Sequence, residues 1–412
     1  MAIIRSFKAV RPTRDKANLV ASRSYLSYSD ETLKEKLDNN PFTFLHIINP
    51  DYKNLVKSTG VEKFKLVKKK FQKFINEGIF FQDKSDSLYI YQQTKENRIY
   101  TGIIAATSID DYKNGNIKIH EQTLTKRKEM FKDYLQTTAF NAEPVLLTYQ
   151  DNTNINSIIQ EKIEERAEYE FTTTNKVLHK FWNITDKESI NTITKEFEKI
   201  KNIYIADGHH RSASSSLLCK NIREENPNYN PEDNFNFFMS YLIAESNLNI
   251  LNYNRLVRKT NSISNKELID KIKENYNISE KNENFYSPIV KYEISMYLSG
   301  KWYSLVAKKR NYQSTAESLD PSILSKYILA PILGIKDEKT DKNISFYDGT
   351  IPLSVMKKKV DSGEYDIAFI LKPIDIESLK KVSDNNEIMP PKSTYIEPKL
   401  RSGLTIYKLE SK

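Results

Sequence analysis

Ile205-Ala-Asp-Gly-His-His-Arg-Ser-Ala-Ser214 is the stretch on which the fold reading turns. Ile203 to Ala206 is a short apolar, β-branched run. Ser212 to Ile222 carries small and apolar residues at helical spacing, so the simplest assignment is strand, tight turn, helix. Gly208 can adopt positive φ and lets the backbone approach a ligand, and the first helical turn offers unpaired N–H groups and the positive end of a dipole. Asp207, His209, His210 and Arg211 surround that glycine, and two of the chain's five histidines are side by side here. Three basic side chains at a helix N-terminus predict an anion site, with phosphate as the natural guest. The plainer alternative is that Asp207 caps the helix and the basic residues are a solvated cluster.

Outward from that turn, 412 residues exceed one ordinary core, and 39% hydrophobic with 11% aromatic residues is enough to build more than one. A single cysteine, Cys219, excludes an intramolecular disulfide framework. It falls on the apolar side of the helix after the histidines, which predicts a buried thiol and a reducing, cytoplasmic setting. The N-terminus lacks a signal-like apolar core, and no stretch reaches the roughly 18 apolar residues of a membrane span, so neither export nor a membrane partner is expected. The net charge of +9 is spread along the chain and mixed with acids. Lys65, Lys69 and Lys73 form a short basic stripe, read as the solvated face of an amphipathic helix. With no helix-turn-helix reader after the motif, DNA is not the expected partner.

Coarse periodicity gives an α+β fold. A helix starts near Ser29, with Ser29 and Thr32 as cap residues. A strand is read at Phe44–Ile48, a helix over Val61–Asn76 stopped by Gly78, and paired strands at Leu88–Tyr91 and Tyr100–Ala106 around a polar turn. Residues 151–200 read as helix-rich and acidic, and Phe237–Ala244 as a strand. Helices and strands alternate from about 260 to 382, consistent with a second, smaller α+β unit. A final strand is read at Leu404–Tyr407. The expected organisation is a phosphate-binding core with helical insertions over 1–258, a smaller α+β unit over 259–385, and a C-terminal basic loop and strand over 386–412 returning to the core.

Two further segments carry chemistry. In Gly115-Asn-Ile-Lys-Ile-His-Glu121 an extended backbone puts Lys118 and His120 on one face, and Glu121 can turn into the same cleft as base or metal ligand. An exposed strand end is the equal alternative. Between Met389 and Gly403, prolines stiffen a loop in which Lys392, Ser393, Thr394, Lys399 and Arg401 can donate to phosphate oxygens. Arg5, Arg11 and Arg14 could complete an anion site or be solvated. No metal-ligand set stands out. Any metal would be Mg²⁺ on carboxylates and phosphate.

The run Tyr204 to Arg211, Lys118-Ile-His-Glu121, Asn40-Pro-Phe-Thr-Phe-Leu-His46 and the Met389–Gly403 run together resemble a large bacterial family labelled domain of unknown function 1015. The Asp-Gly-His-His-Arg turn is further similar to that of free serine kinases. That similarity implies a ParB/sulfiredoxin-like mixed sheet and phosphorylation of a hydroxyl such as that of L-serine, using a nucleotide or pyrophosphate. By the same resemblance Gly208, His209, His210 and Arg211 hold donor phosphates, and Asp207 lies near the metal or hydroxyl. The family more often shows proline-tyrosine-aspartate where this chain has Ser24-Tyr25-Leu26, a departure that fits a catalytically silent scaffold. The expected function is therefore a small-molecule kinase with Asp207, Glu121 and His120 as catalytic residues. The alternative is a nucleotide-dependent regulatory or binding protein without kinase activity.

Overall fold

A computed structural model describes residues 2–260 and 262–410, apart from the side chain of Leu26. The departure noted at Leu26 therefore lies outside the described residues. The fold is α+β and divides into two compact units. The first comprises 1–118, 122–248 and 398–412, and the second 119–121 and 249–397. Among the described residues no helix is long and apolar enough to cross a membrane.

The first unit is built on a mixed nine-stranded sheet. Its strands in chain order are β1 (Ile4–Arg5), β2 (Leu88–Lys95), β3 (Arg98–Ser108), β4 (Ile117–Lys118), β5 (Val145–Tyr149), β6 (Tyr169–Thr172), β7 (Val177–Ile184), β8 (Ile203–Asp207) and β9 (Phe237–Ala244). They lie in the order β4-β8-β5-β9-β3-β2-β7-β6, with β1 against β3. The β4–β8 and β5–β9 pairs are parallel and the others antiparallel. Period-2 alternation gives the two faces different characters. Ile90, Ile103, Leu147, Trp182, Ile205 and Leu242 form one apolar face. It packs on Ile155 and Ile159 of α4 (Thr153–Ile163), Ile193 and Phe197 of α5 (Lys187–Lys199) and Cys219 of α6 (His209–Glu225). The buried thiol is as expected. The opposite face carries Tyr89, Tyr91, Gln93, His179, Phe181, Tyr204 and Tyr241, aromatic and hydrogen-bonding groups that are also buried.

Local signals act as the sequence predicts in several places. Ser29 caps α1 (Asp30–Asn39), its hydroxyl accepting from the Thr32 amide. In α2 (Gly60–Asn76), Val67, Phe71 and Phe74 are buried while Lys65, Lys69 and Lys73 are exposed, and Gly78 follows at φ +71°. The β2–β3 hairpin closes on Glu96 and Asn97, with Lys95 opposite Arg98.

Three readings are corrected. Phe44–Ile48 is no strand, since Leu45–Ile48 is one helical turn. The turn at Asn40, whose side chain accepts from the Phe42 amide, and the Thr43 hydroxyl, which accepts from the Leu45 amide, bend a run too short for its periodicity to decide. The 151–200 region is interrupted by the β6–β7 hairpin between α4 and α5. The C-terminal strand is Tyr407–Lys408, paired with Phe140–Asn141, and Ile406 makes only an isolated bridge to Val10.

The second unit has a six-stranded antiparallel sheet of β10 (Tyr253–Val257), β11 (Tyr276–Lys281), β12 (Glu293–Leu298), β13 (Lys301–Ala307), β14 (Ile344–Asp348) and β15 (Ile367–Leu371), in the order β11-β13-β12-β15-β10-β14. One of its cores gathers Val257, Leu268, Ile272, Met296, Leu305 and Phe369. A second gathers Leu256, Tyr297, Trp302 and Met356.

Candidate functional site

Strand β8 enters the turn through a bulge. Tyr204 pairs with Thr148 and Ile205 with Leu147, and then Asp207, not Ala206, stands opposite Leu146. In an unbroken strand Asp207 would share the side of Ile205 and face the apolar core. The one-residue slip puts it on the side of Tyr204 and Thr148. Gly208 follows at φ +106°, ψ +24° as the N-cap of α6. Its carbonyl accepts from the Arg211 and Ser212 amides at 2.8 and 3.1 Å. A Cβ on Gly208 would lie 3.0 Å from the Arg211 guanidinium, so the glycine also lets that side chain fold back over the turn.

Around Asp207 the charges interlock. Its Oδ2 is 3.4 Å from Lys399 Nζ and 3.5 Å from Arg211 Nη2. Arg211 Nη1 is 2.9 Å from Glu143 Oε1 and also donates to the Pro144 carbonyl. Glu143 Oε2 accepts from the Ser402 hydroxyl at 3.3 Å. Desolvation pushes the Asp207 carboxyl up, but Lys399 and Arg211 outweigh it and hold the group below the usual carboxylate value. It is therefore ionised at neutral pH, with its side chain 42% exposed. His209 behaves differently from the cation that its type suggests. Burial, opposed by Asp207 and reinforced by His210 and Arg211, lowers its pKa to about 4, so its imidazole is neutral. Two carboxylates, Asp207 and Glu143, thus face two cations, Arg211 and Lys399.

A family model described as "Protein of unknown function (DUF1015)" matches residues 4–322. The chain belongs to the DUF1015 family. Among curated proteins none matches it. Several solved structures are similar to this DUF1015 chain. A free serine kinase in complex with AMP shares 13% identity with a TM-score of 0.38, covering 74% of this chain and 91% of that one. A conserved hypothetical protein from Pyrococcus furiosus shares 14% with a TM-score of 0.35, covering 75% and 95%. SbnI with a C-terminal truncation, from Staphylococcus aureus, shares 14% with a TM-score of 0.37, covering 74% and 87%.

Of the residues singled out in this DUF1015 sequence, the structure brings Asp207, Gly208, Arg211 and Lys399 together, with His209 and His210 opening the helix beside them. Lys118 stands opposite Tyr204 on β4, three residues of β8 short of Asp207. Arg401 turns elsewhere in the same unit, toward Thr173 and Asn175. His120, Glu121, Lys392, Ser393 and Thr394 belong to the second unit. The strand expected to align Lys118 with His120 ends at Lys118, and His120 is 1% exposed. Lys392 lies 5.2 Å from the Tyr253 ring, and the Ser393 hydroxyl donates to the Pro390 carbonyl at 2.8 Å.

Arg11 is buried in a two-point ion pair with Asp83, both contacts at 2.8 Å, and also donates to the Tyr169 hydroxyl. Arg14 pairs with Glu168, and Arg5 pairs with Glu232. The partner the sequence did not flag is Glu143. It precedes Pro144 at the entry to β5, far from the turn along the chain, and carries no local signal. A cavity of about 560 Å³ in the first unit is lined by Arg5, Phe7, Gln82, Glu232 and Tyr407 and by no residue of the turn.

Proposed function

We propose that this chain is a small-molecule phosphotransferase in which the Asp207–Arg211 turn holds the donor phosphates of a nucleotide or pyrophosphate. The acceptor is a hydroxyl compound of the L-serine type. The observation that carries this reading is Asp207, re-aimed by a β-bulge and held ionised between Lys399 and Arg211, beside a left-handed glycine that opens a 17-residue helix. The similarity of the Asp-Gly-His-His-Arg turn to free serine kinases supports the same chemistry.

In the transfer, the acceptor oxygen forms a bond to phosphorus as the bond to the leaving phosphate oxygen breaks, and the hydroxyl proton departs by way of Asp207 to water. A carboxyl held below its usual pKa is a weak base. Asp207 is therefore suited to orienting the hydroxyl, which is sufficient where the transition state is loose. Lys399 and Arg211 stabilise charge on the transferring group. Because Asp207 and Glu143 balance those two cations, the turn favours a donor that brings its own positive charge. Among the described residues no cluster of three or more His, Cys, Asp or Glu could hold a metal. Two carboxylates, completed by phosphate oxygens and water, nevertheless fit Mg²⁺. Asp207 and Glu143 would hold it, and when bound it would neutralise donor phosphate charge. The proposal uses the first unit alone.

The test is ³¹P NMR of the purified chain with Mg²⁺, L-serine or other hydroxy amino acids, and ATP, ADP or pyrophosphate. A phosphomonoester is expected, with Asp207→Asn slower by about a hundredfold or more. Absence of product with every donor, together with no protection of the protein by phosphate, overturns the reading.

A further inference from the structure

Ser22 and Ser402 form an isolated antiparallel bridge, the two amides donating across it at 3.2 and 2.9 Å. The next residues on either side of such a bridge face each other, and here they are Arg23 and Arg401. Like charges placed opposite one another destabilise a strand pair. Arg401 is only 7% exposed, yet among the described residues no carboxylate lies within ion-pair distance of it or of Arg23. Among the described residues its Nη2 donates to neutral oxygens alone, Thr173 Oγ1 at 3.3 Å and Asn175 Oδ1 at 3.0 Å, in the β6–β7 turn. The Tyr28 hydroxyl lies close enough to Arg401 to act on its charge. It also accepts from the Arg23 amide at 3.0 Å, and its ring lies 5.9 Å from the Arg23 guanidinium. His179, whose pKa Arg401 helps to lower, is neutral and supplies no negative charge. Every other arginine described above as buried or half-buried in the first unit has a carboxylate: Arg11 has Asp83, and Arg211 has Asp207 and Glu143.

A desolvated guanidinium opposite a second one, both lacking a counter-ion, is a costly arrangement unless an anion completes it. We infer that Arg401 and Arg23, facing each other across the Ser22–Ser402 bridge, bind an oxyanion group, the carboxylate or phosphate of a small molecule. Arg401 supplies the buried fork and half-buried Arg23 the entry side, with Tyr28 between them. The bridge adjoins the Asp207 turn through the Ser402–Glu143 contact, but its two arginines take no part in the phosphotransfer reading and the inference does not rest on it. Anchoring the β6–β7 turn accounts for Arg401 Nη2 but leaves the facing Arg23 unexplained.

Low-salt thermal unfolding and calorimetric titration of the full chain test it, with inorganic phosphate and pyrophosphate in one arm and acetate and succinate in the other. At least one arm binds wild type, and the arm whose binding Arg23→Gln weakens identifies the group recognised. The Arg23 side chain makes no hydrogen bond among the described residues, so Arg23→Gln is expected to raise the ligand-free melting temperature by relieving repulsion. The same change weakens the effective anion by about tenfold or more. Arg401→Lys weakens it similarly, and Arg211→Gln leaves that binding in place. No binding in either arm overturns the inference, as does an Arg23→Gln chain with unchanged melting temperature and affinity. Loss in Arg211→Gln alone assigns the anion to the turn. That outcome overturns this inference while leaving the phosphotransfer proposal standing.

Discussion

Replacing His179 by Asn tests whether burial sets the acid sensitivity of the first unit. His179 is 1% exposed, its Nδ1 is 2.8 Å from the Tyr91 hydroxyl, and its ring stacks between Phe171 and Tyr91 at 5.1 and 5.9 Å. Burial, with Arg401 adding to it, pushes its pKa down to about 3. The folded chain therefore refuses a proton that the unfolded chain accepts near the ordinary value of about 6.5. The resulting stability is complete above the unfolded value and is lost as pH falls from about 6.5 toward about 3. At pH 5 the loss is about 1.36 × log(1 + 10^1.5), or about 2 kcal/mol, whatever the folded value so long as it stays well below 5. His209, lowered to about 4, adds a similar loss over the same window. Asn can keep an oxygen where Nδ1 meets Tyr91, but it cannot titrate. Hydrogen exchange of the β7 amides at pH 7 and pH 5, corrected for intrinsic rates, gives the opening free energy of this unit. Other titrating groups cancel between parent and variant. His179→Asn should lose about 2 kcal/mol less than the parent between the two pH values. Equal losses would refute the argument that the ring is held neutral by burial.

Gly208→Ala should cost about 1–2 kcal/mol, because φ +106° strains any side-chain-bearing residue and the new Cβ meets the Arg211 guanidinium. A melting temperature and phosphate affinity both equal to wild type would show that the turn does not need its glycine. In the second unit, burial raises the Asp320 carboxyl to about 6 even though its Oδ1 accepts from the Tyr292 amide. For an acid raised in this way, the stabilisation present below the unfolded value of 3.8 disappears as pH rises through about 6. Asp320→Asn keeps the acceptor without the charge. It should stabilise that unit by roughly 1–3 kcal/mol at pH 7 and by little at pH 4. Urea unfolding followed at Trp302 reads this directly, and a variant that is less stable at pH 7 counts against it.

What was legible in the sequence was local, and what was not was pairing at a distance. The apolar run before Asp207, the glycine after it and the periodic α2 are patterns a few residues wide, and the strand-turn-helix at 203–225 follows from them. The bulge that turns Asp207 off the core face depends on the register against β5, which no residue of β8 specifies alone. The β6–β7 hairpin was hidden because Tyr169–Thr172 is only four residues long and lies between two helices. Charge shows the limit most clearly. In the sequence, the cluster at 209–211 looks like the chain's most basic point and Arg401 like one cation among prolines and serines. In the fold, Glu143 and Asp207 offset Arg211 and burial neutralises His209. The bridge at Ser22–Ser402, joining opposite ends of the chain, sets Arg401 against Arg23 with no carboxylate among the described residues in ion-pair reach. A count of basic residues finds where cations are concentrated. Only the fold tells which of them still lack an anion, and here the two answers fall at different places on the same unit.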